Sequence, residues 1–316
     1  MEHMTEHFPL SLLDTYTIET QLGLGGGGAV YKALHKRLIK KVVIKELLHD
    51  PCMSERSRRN EVEALKNVKN AHLPQIFDYI ENDERCFTVM ELIEGESFDK
   101  LLKRGVRFTQ YQVIEWYEQL ASALTELHEH GICHSDIKPA NIMLTPGGSV
   151  CLIDFNAAII NGNDAGFISR SRGYASPEQY NLYKTLKNLE TDYLPKNYYG
   201  AENFYDDDCT VLIEDNTVLQ ETSKDLFEGG INRRSVGQAY GIDWMLSDIH
   251  NLGATMYHIL TGKCLQFSSE GRIFKESGEK QLSPCYFIIE RSTHPYPRSR
   301  FDSALSLSRT IRSLLT

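Results

Sequence analysis

The most informative segment of the chain reads His134-Ser135-Asp136-Ile137-Lys138-Pro139-Ala140-Asn141, and Asp154-Phe155 follows thirteen residues after it. Two short apolar runs on either side of Thr145-Pro146-Gly147-Gly148 predict a β-hairpin between these motifs. The first aspartate and the asparagine precede this hairpin and the second aspartate follows it, so all three side chains are expected at one end of the hairpin. Such a group supplies a base for a hydroxyl proton and two oxygen ligands for Mg²⁺.

A glycine-rich turn near the N-terminus indicates a second functional element. Gly23, Gly25 and Gly28 form a Gly-x-Gly-x-x-Gly pattern between two strand-like runs. Nucleotide sites of several folds share this pattern, although a flexible turn also explains it. Lys45 ends the next β-branched run, Val42-Val43-Ile44, from where its side chain can reach phosphate oxygens. Together the two features favour a nucleotide site over the alternative of a surface lysine.

Two glutamates on one predicted helix differ in the face that they occupy. On the helix predicted over residues 54–69, Glu61 shares the apolar face with Leu65 and Val68, whereas Glu63 lies on the polar face. An unpaired buried carboxylate is costly. Glu61 is therefore expected to pair with a cation, and Lys45 is the predicted partner.

The hydrophobic period changes to that of helices from about residue 111. A helix is predicted where apolar residues recur at steps of three and four, and a further helix over residues 249–260 is predicted to end at Thr261-Gly262. His128 and His130 at the end of the first helix are expected to be surface or capping groups. The apolar residues of that helix are Ile114, Tyr117, Leu120, Leu124 and Leu127.

Composition limits the class of protein. With 41% apolar residues among 316, the chain has enough material for a sizeable core, which excludes a disordered or fibrous protein. The net charge of −9 shows no excess of basic residues, which a nucleic-acid-binding protein would need. No apolar run approaches the roughly 20 residues of a membrane span. The N-terminus lacks a signal-peptide pattern and the seven cysteines are scattered, so a cytoplasmic location with reduced thiols is expected.

These motifs resemble those of the eukaryotic-type (Hanks-type) serine/threonine protein kinases. The resemblance runs from Tyr16 to the C-terminus, except for a stretch at about residues 181–243. It implies an α+β, bilobal protein-kinase-like fold, with a β-rich N-lobe at residues 1–93 and a mainly α-helical C-lobe at residues 94–316.

The resemblance implies that ATP binds in the N-lobe. The glycine loop would cover the phosphates, Lys45 would hold the α- and β-phosphates with Glu61 as its helix partner, and residues 89–93 would form the gatekeeper and hinge. Adenine would then contact backbone groups of Glu91 and Ile93. The implied cofactor-binding residues are Gly23, Gly25, Gly28, Val30, Lys45, Met90, Glu91 and Ile93.

In the C-lobe, the resemblance makes Asp136 the catalytic base and Lys138 the γ-phosphate contact. Asn141 and Asp154 would bind Mg²⁺, or Mn²⁺ in its place. Asp248 would brace the catalytic loop, and Arg300 would pair with Glu178 of Tyr174-Ala175-Ser176-Pro177-Glu178. The spacing Asp-x-Lys-Pro-x-Asn is typical of serine/threonine kinases rather than tyrosine kinases.

Two positions depart from the family pattern. Ser135 replaces the arginine that grips a phosphorylated activation loop, so loop phosphorylation is not expected to switch activity by that route. Ser169 and Ser171 of that loop are expected to be modified or to line the substrate groove. Asn156 replaces a glycine, and the exchange is expected to be tolerated because asparagine best mimics glycine at positive φ.

The stretch at about residues 181–243, here called the acidic insertion, exceeds the family length by some fifty residues. It contains twelve acidic and six basic residues, and six of the sixteen tyrosines of the chain. A long segment beside a substrate groove suggests recruitment or screening of a basic protein partner. A solvated acidic loop without a role is the alternative.

The predicted function is therefore Mg²⁺-ATP-dependent phosphorylation of serine or threonine hydroxyls on protein substrates. Two other functions stay open. One is a nucleotide-binding pseudokinase that acts as a scaffold. The other is a kinase-fold enzyme that transfers a nucleotidyl group instead of a phosphoryl group.

Overall fold

The computed structural model describes residues 8–25, 28–48, 55–82, 85–162, 167–182, 208–212, 241–265 and 284–315. In the first part of the chain, five antiparallel strands form one sheet. They are β1 (Tyr16–Gly25), β2 (Gly28–His35), β3 (Lys40–Leu48), β4 (Ile76–Glu81) and β5 (Arg85–Glu91), in the spatial order β1-β2-β3-β5-β4. Helix α1 (Leu10–Thr15) precedes the sheet and helix α2 (Glu55–Leu65) joins β3 to β4.

The register of the sheet places the glycine-rich turn beside Lys45. Gly25 lies opposite Gly28 and Gly23 lies opposite Val30 in the β1–β2 pair. Val30 in turn lies opposite Lys45 in the β2–β3 pair. Directly opposed residues of an antiparallel pair project from the same face of a sheet. Val30 and Lys45 therefore project from the same face of the sheet, next to the glycine-rich turn.

Helices form most of the later part of the chain, together with short strands. The helices are α3 (Phe98–Lys103), α4 (Gln110–Glu129), α5 (Trp244–Thr261), α6 (Pro284–Ser292) and α7 (Ala304–Leu315), and residues 177–182 are also helical. The strands are β6 (Glu96–Ser97), β7 (Ile132–Cys133), β8 (Ile142–Leu144), β9 (Val150–Leu152), β10 (Ile159–Ile160), β11 (Phe167–Ser171) and β12 (Asp208–Leu212).

Local sequence explains where the two long helices begin and end. Thr109 and Gln112 form a reciprocal capping box at the start of α4. Gly262 ends α5 in the left-handed conformation at φ 74°. The sequence predicted the apolar face of α4, and Tyr117, Leu120, Leu124 and Leu127 are indeed fully buried.

Of the three hydrophobic clusters in the described ranges, two contain most of the buried apolar side chains. The smaller of these two lies in the sheet and includes Phe8 and Leu12 from the segment before it. The larger cluster lies among the helices, and Leu65 and Val68 belong to it together with Phe155. Full burial of one such side chain contributes about 1.5–3 kcal/mol. The apolar end of α2 and the residues after it are therefore packed against the helical part, which limits the freedom of Glu61.

The predicted elements are largely present. The hairpin expected around residues 145–148 is formed by the antiparallel pair β8–β9. The helix predicted over residues 54–69 is shorter and ends at Leu65. Within the described ranges, no helix combines the length and the apolar character that crossing a bilayer requires.

The acidic insertion lies mostly outside the described residues. Of residues 181–243, the structure describes 181, 182, 208–212 and 241–243. Residues 208–212 form β12, which pairs antiparallel with β11. The sequence did not predict this strand, because its Thr-Val-Leu run is short and lies within a strongly polar region.

Candidate active site

Lys45 of β3 contacts two carboxylates from distant parts of the chain. Its Nζ lies 3.2 Å from Glu61 Oε2 on α2 and 3.0 Å from Asp154 Oδ1 after β9. Glu61 is 4% exposed, whereas Glu63 is exposed. The predicted pairing of Lys45 with Glu61 is therefore confirmed, and Asp154 is a second partner.

The charges of this group stabilise one another. Burial alone would lower the pKa of Lys45, but the carboxylates of Asp154 and Glu61 outweigh it and raise that pKa above its usual value. Burial would raise the pKa of Asp154, but 42% of its side chain is exposed and the Lys45 ammonium lowers the pKa below its usual value. Both groups are charged at neutral pH.

Helix α2 also holds the segment that follows Asp154. The backbone N–H of Phe155 donates to Glu61 Oε1 at 3.2 Å. Asn60 Nδ2 lies 3.3, 3.0 and 2.8 Å from the carbonyl oxygens of Phe155, Asn156 and Ala158. Asn60 is 1% exposed, and the sequence analysis did not single it out. A polar residue directly before an inward-facing glutamate was the available signal.

The backbone of this segment differs from the expectation for Asn156. Asp154 adopts φ 67°, and Asn156 is absent from the described non-glycine residues with positive φ. The expectation that Asn156 mimics a glycine at positive φ is therefore wrong. Asn156 needs no glycine-like conformation here, because the left-handed residue of the segment is the aspartate itself.

The carboxylate of Asp136 has three hydrogen-bonding or ionic partners. Ser171 Oγ donates to Oδ1 at 2.6 Å, Asn141 Nδ2 donates to Oδ2 at 3.1 Å, and Lys138 Nζ lies 3.2 Å from Oδ2. The backbone N–H of Ile153 donates to the Asn141 carbonyl at 2.8 Å. The predicted catalytic-loop residues thus lie together, and Asn141 links them to the strand that ends before Asp154.

Asp248 of α5 holds the loop before Asp136. Its Oδ2 accepts the backbone N–H of His134 and its Oδ1 accepts that of Ser135, both at 2.8 Å. His128 Nε2 lies 3.1 Å from Oδ2. His128 is 8% exposed in its side chain, so the expectation of a surface or capping group is wrong. Cys133 lies near this pair, but hydrogen bonds already occupy both carboxylate oxygens.

A buried ion pair joins the end of the activation segment, the stretch from Asp154 to Glu178, to the chain before α7. Arg300 Nη1 and Nη2 donate to Glu178 Oε1 and Oε2 at 2.5 and 2.9 Å. Arg300 also donates to the carbonyl oxygens of His294 and Leu246 at 2.8 and 2.9 Å. The predicted pairing of Arg300 with Glu178 is confirmed.

Three of the predicted nucleotide residues lie where β5 ends and the chain leaves the sheet. Met90 is 8% exposed at the end of β5, and Ile93 lies in the partly buried segment after it. The backbone N–H of Glu91 donates to the Gln75 carbonyl at 2.8 Å. Any adenine contact at Glu91 would therefore have to use its carbonyl oxygen.

The residues predicted to bind metal offer suitable donors. Asn141 Nδ2 donates to both the carbonyl oxygen and Oδ2 of Asp136, at 2.9 and 3.1 Å, which leaves the amide oxygen as the Asn141 side-chain atom for a cation. Asp154 adds carboxylate oxygens, which Mg²⁺ and Mn²⁺ prefer. Asn141 and Asp154 could therefore hold a hard divalent cation.

Comparisons with known proteins agree with this geometry. The chain is similar to a probable serine/threonine-protein kinase of Clostridium acetobutylicum, with 32% identity over 175 residues, which cover 53% of this chain and 27% of that protein. It is 35% identical over 152 residues to the serine/threonine-protein kinase PknH of Mycobacterium tuberculosis, covering 47% of this chain and 24% of PknH.

A third relative is the serine/threonine-protein kinase PknA of Mycobacterium tuberculosis, which is 30% identical over 189 residues, covering 56% of this chain and 44% of PknA. The chain thus spans less than half the length of each of these three relatives. The model of the protein kinase domain family matches residues 16–191, more than half of this chain. With the five-stranded sheet, the helical part and the Lys45–Glu61–Asp154 group, that match shows that the chain belongs to the protein kinase family.

Proposed function

We propose that this chain is an ATP-dependent kinase that phosphorylates serine or threonine hydroxyls of protein substrates. The observation that carries the proposal is the convergence of Lys45, Glu61 and Asp154 beside the loop that contains Asp136 and Asn141. Lys138 next to Asp136 favours serine and threonine over tyrosine, because the resemblance assigns this lysine to that class.

In the proposed reaction, the substrate hydroxyl gives its proton to the Asp136 carboxylate while its oxygen attacks the γ-phosphorus of ATP. The bond from the γ-phosphorus to the bridging oxygen breaks, and ADP leaves. Lys45 holds the α- and β-phosphates, and Lys138 contacts the γ-phosphate. Both ammonium groups offset negative charge in the transition state.

The remaining predicted site residues would bind the nucleotide and the metal. Asn141 and Asp154 would hold Mg²⁺, or Mn²⁺ in its place, which when bound offsets phosphate charge. The glycine loop would cover the phosphates, with Val30 behind it. Met90, Glu91 and Ile93 would surround the adenine. The proposed cofactor-binding glycines are Gly23, Gly25 and Gly28.

We further propose that activity does not depend on a phosphorylated activation loop whose phosphate is bound by the residue at position 135. A serine has no positive charge, so it cannot form the bidentate bond that an arginine forms with a phosphate. A reducing compartment such as the cytoplasm suits the protein, because Cys86, Cys133, Cys151, Cys264 and Cys285 are free thiols.

Radiolabel transfer from γ-labelled ATP with Mg²⁺ tests the main proposal. Wild type would run beside Asp136→Asn and Asp154→Asn, with Asp78→Asn as the matched control because Asp78 is an exposed carboxylate on β4. We expect label with wild type and the control, and a loss of at least about 10²-fold with the other two variants. Mapping the labelled residues would decide between serine, threonine and tyrosine.

Other outcomes would favour the two alternatives. ATP-dependent thermal stabilisation without label transfer would indicate a nucleotide-binding pseudokinase. A mass increase of AMP on the target, rather than of phosphate, would indicate nucleotidyl transfer.

We also propose that the acidic insertion recruits basic protein substrates. Its excess of twelve acidic over six basic residues and the pairing of β12 with β11 support this proposal. Deletion of residues 185–240 should lower the rate on a basic protein more than on a short neutral peptide. Equal losses on both substrates, or no loss on either, would contradict recruitment.

A further inference from the structure

The helical residues 177–182 begin with a capping box that is fully buried. Ser176 N donates to Gln179 Oε1 at 2.9 Å, and Gln179 N donates to Ser176 Oγ at 3.3 Å. Pro177 stands at the first helical position, where its missing N–H costs nothing. The capping box of Thr109 and Gln112 on α4 is exposed, whereas Ser176 and Gln179 are both 0% exposed. Burial of this polar pair calls for a further role.

Gln179 uses its remaining hydrogen-bonding group on the catalytic loop. Its Nε2 donates to the backbone carbonyl of Ser135 at 2.8 Å. The N–H of the same residue donates to Asp248 Oδ1 at 2.8 Å. Both polar groups of the Ser135 backbone are therefore held from outside the loop, directly before Asp136.

Ser135 needs this support because its backbone is strained. It adopts φ 66°, in the left-handed region that non-glycine residues seldom occupy. Its own hydroxyl is buried and has no hydrogen-bond partner within the described part of the chain. The side chain of Ser135 therefore does not hold the conformation, and the contacts with Gln179 and Asp248 do.

A further contact closes these groups into a ring. Ser176 Oγ lies 2.8 Å from Ser247 Oγ on α5, and Ser247 directly precedes Asp248. The ring runs from Ser135 through Gln179, Ser176 and α5 to Asp248, and back to Ser135. It joins the end of the activation segment to the catalytic loop without using a charge from the activation segment.

We propose that Gln179 is a positioning residue that orients Asp136 through the Ser135 carbonyl. This link uses the backbone of Ser135 and needs no phosphate, unlike the contact that an arginine side chain at position 135 would make with a phosphorylated activation loop. Glutamine suits both tasks because its amide oxygen caps the helix while its amide nitrogen donates to Ser135. A glutamate would keep the cap but could not donate when ionised. The proposal rests on the proposed kinase activity.

Two variants and a matched control distinguish the hydrogen bond from Gln179 to Ser135 from the role of Gln179 in capping the helix. Gln179→Glu retains the capping acceptor and loses the donor, and Gln179→Met loses both. Gln119→Met removes a comparable amide elsewhere in the C-lobe, where Gln119 Oε1 accepts the Val150 N–H at 2.9 Å and the Ser149 hydroxyl at 3.1 Å. We expect both Gln179 variants to lower kcat about tenfold or more, with KM values for ATP and peptide within twofold of wild type. Gln119→Met should change kcat less than twofold.

Hydrogen–deuterium exchange of the peptide over residues 133–138 gives a readout that does not need activity. Exchange should be faster in both Gln179 variants than in wild type and Gln119→Met. Unchanged kcat and unchanged exchange in Gln179→Glu would overturn the proposal, and so would a kcat loss equal to that of Gln119→Met.

The outcomes also separate this proposal from the proposed function. If wild type transfers no phosphate, the proposed kinase function is wrong, and hydrogen–deuterium exchange alone tests the link between Gln179 and Ser135. If Gln179→Met does not fold, Gln179→Glu decides, because it keeps the helix cap. If neither variant folds while Gln119→Met does, Gln179 serves the fold rather than the orientation of Asp136, and the proposal is wrong.

Discussion

Asp136 and Ser171 are 35 positions apart in the sequence, and the Ser171 hydroxyl donates a 2.6 Å hydrogen bond to Asp136 Oδ1. Ser171 is 5% exposed at the end of β11. The other carboxylate oxygen lies near Asn141 and Lys138. The activation segment thus fixes the rotation of the predicted base from one side, and the catalytic loop fixes it from the other.

Ser171→Ala should lower kcat about tenfold. It removes one hydrogen bond to a charged group, worth about 1.5 kcal/mol, from the carboxylate that is to receive the proton. Thermal stabilisation by ATP should stay unchanged, because Ser171 contacts none of the residues assigned to the nucleotide. Steady-state rates would be compared with those of Ser313→Ala, a serine on the exposed side of α7. A wild-type kcat in Ser171→Ala would show that the catalytic loop alone orients the base.

The glycine-rich hairpin contains two glycines with opposite tolerance for a side chain. Gly28 has φ 106°, and a Cβ there would lie 1.9 Å from the Glu46 carbonyl oxygen. A Cβ at Gly23 would have no described atom within 4 Å. We expect Gly28→Ala to lower the free energy of unfolding by about 2 kcal/mol and to raise the KM for ATP.

Gly23→Ala is the matched control for this prediction. It should change the free energy of unfolding by less than about 0.5 kcal/mol in urea titrations. Equal destabilisation by the two variants would mean that flexibility of the hairpin, rather than the close approach at Gly28, decides its stability.

The pairing of Lys45 with Glu61 could be predicted because two local rules agree on it. Helical periodicity places Glu61 on the apolar face, and the cost of a buried carboxylate requires a cation nearby. The structure confirms the contact at 3.2 Å. The resemblance to kinases likewise located the Arg300–Glu178 pair, which lies 122 positions apart in the sequence.

Contacts that depend on tertiary structure could not be predicted in this way. Periodicity shows that His128 lies near the end of α4, but not that Asp248 approaches it from α5. Asn60 is an unremarkable polar residue until three carbonyl groups some 95 positions away converge on it. For Asn156 the intrinsic conformational preference was a poor guide, since the residue with positive φ in this segment is Asp154.

Arg300→Met should lower the free energy of unfolding by about 3–5 kcal/mol. The Arg300 side chain is fully buried, and its removal leaves the Glu178 carboxylate and the carbonyl groups of three other residues without this donor. Arg312→Met is the matched control, because Arg312 pairs with Glu118 at the surface with 62% of its side chain exposed. Exposed pairs contribute at most about 1 kcal/mol. Chemical denaturation measures both, and similar losses would mean that burial does not distinguish the two pairs.

His250 should make the protein less stable in acid. It is 2% exposed on α5, and burial, followed by the charge of Arg300, lowers its pKa to about 3. The pKa in the unfolded chain is about 6.5, so below that pH the unfolded state binds a proton that the folded state does not. The free energy of unfolding is therefore unaffected by His250 above about pH 6.5, and it decreases as the pH falls from 6.5 towards 3.

Between pH 7.5 and pH 5, this loss amounts to about 2 kcal/mol, since each pH unit below 6.5 costs about 1.4 kcal/mol. His250→Phe, which cannot bind the proton, should lose correspondingly less free energy of unfolding over the same range. Urea titrations of both proteins at the two pH values measure the difference, and the titration of all other groups cancels in the comparison. An identical loss in both proteins would show that His250 is protonated in the folded state, which would contradict the burial of its ring.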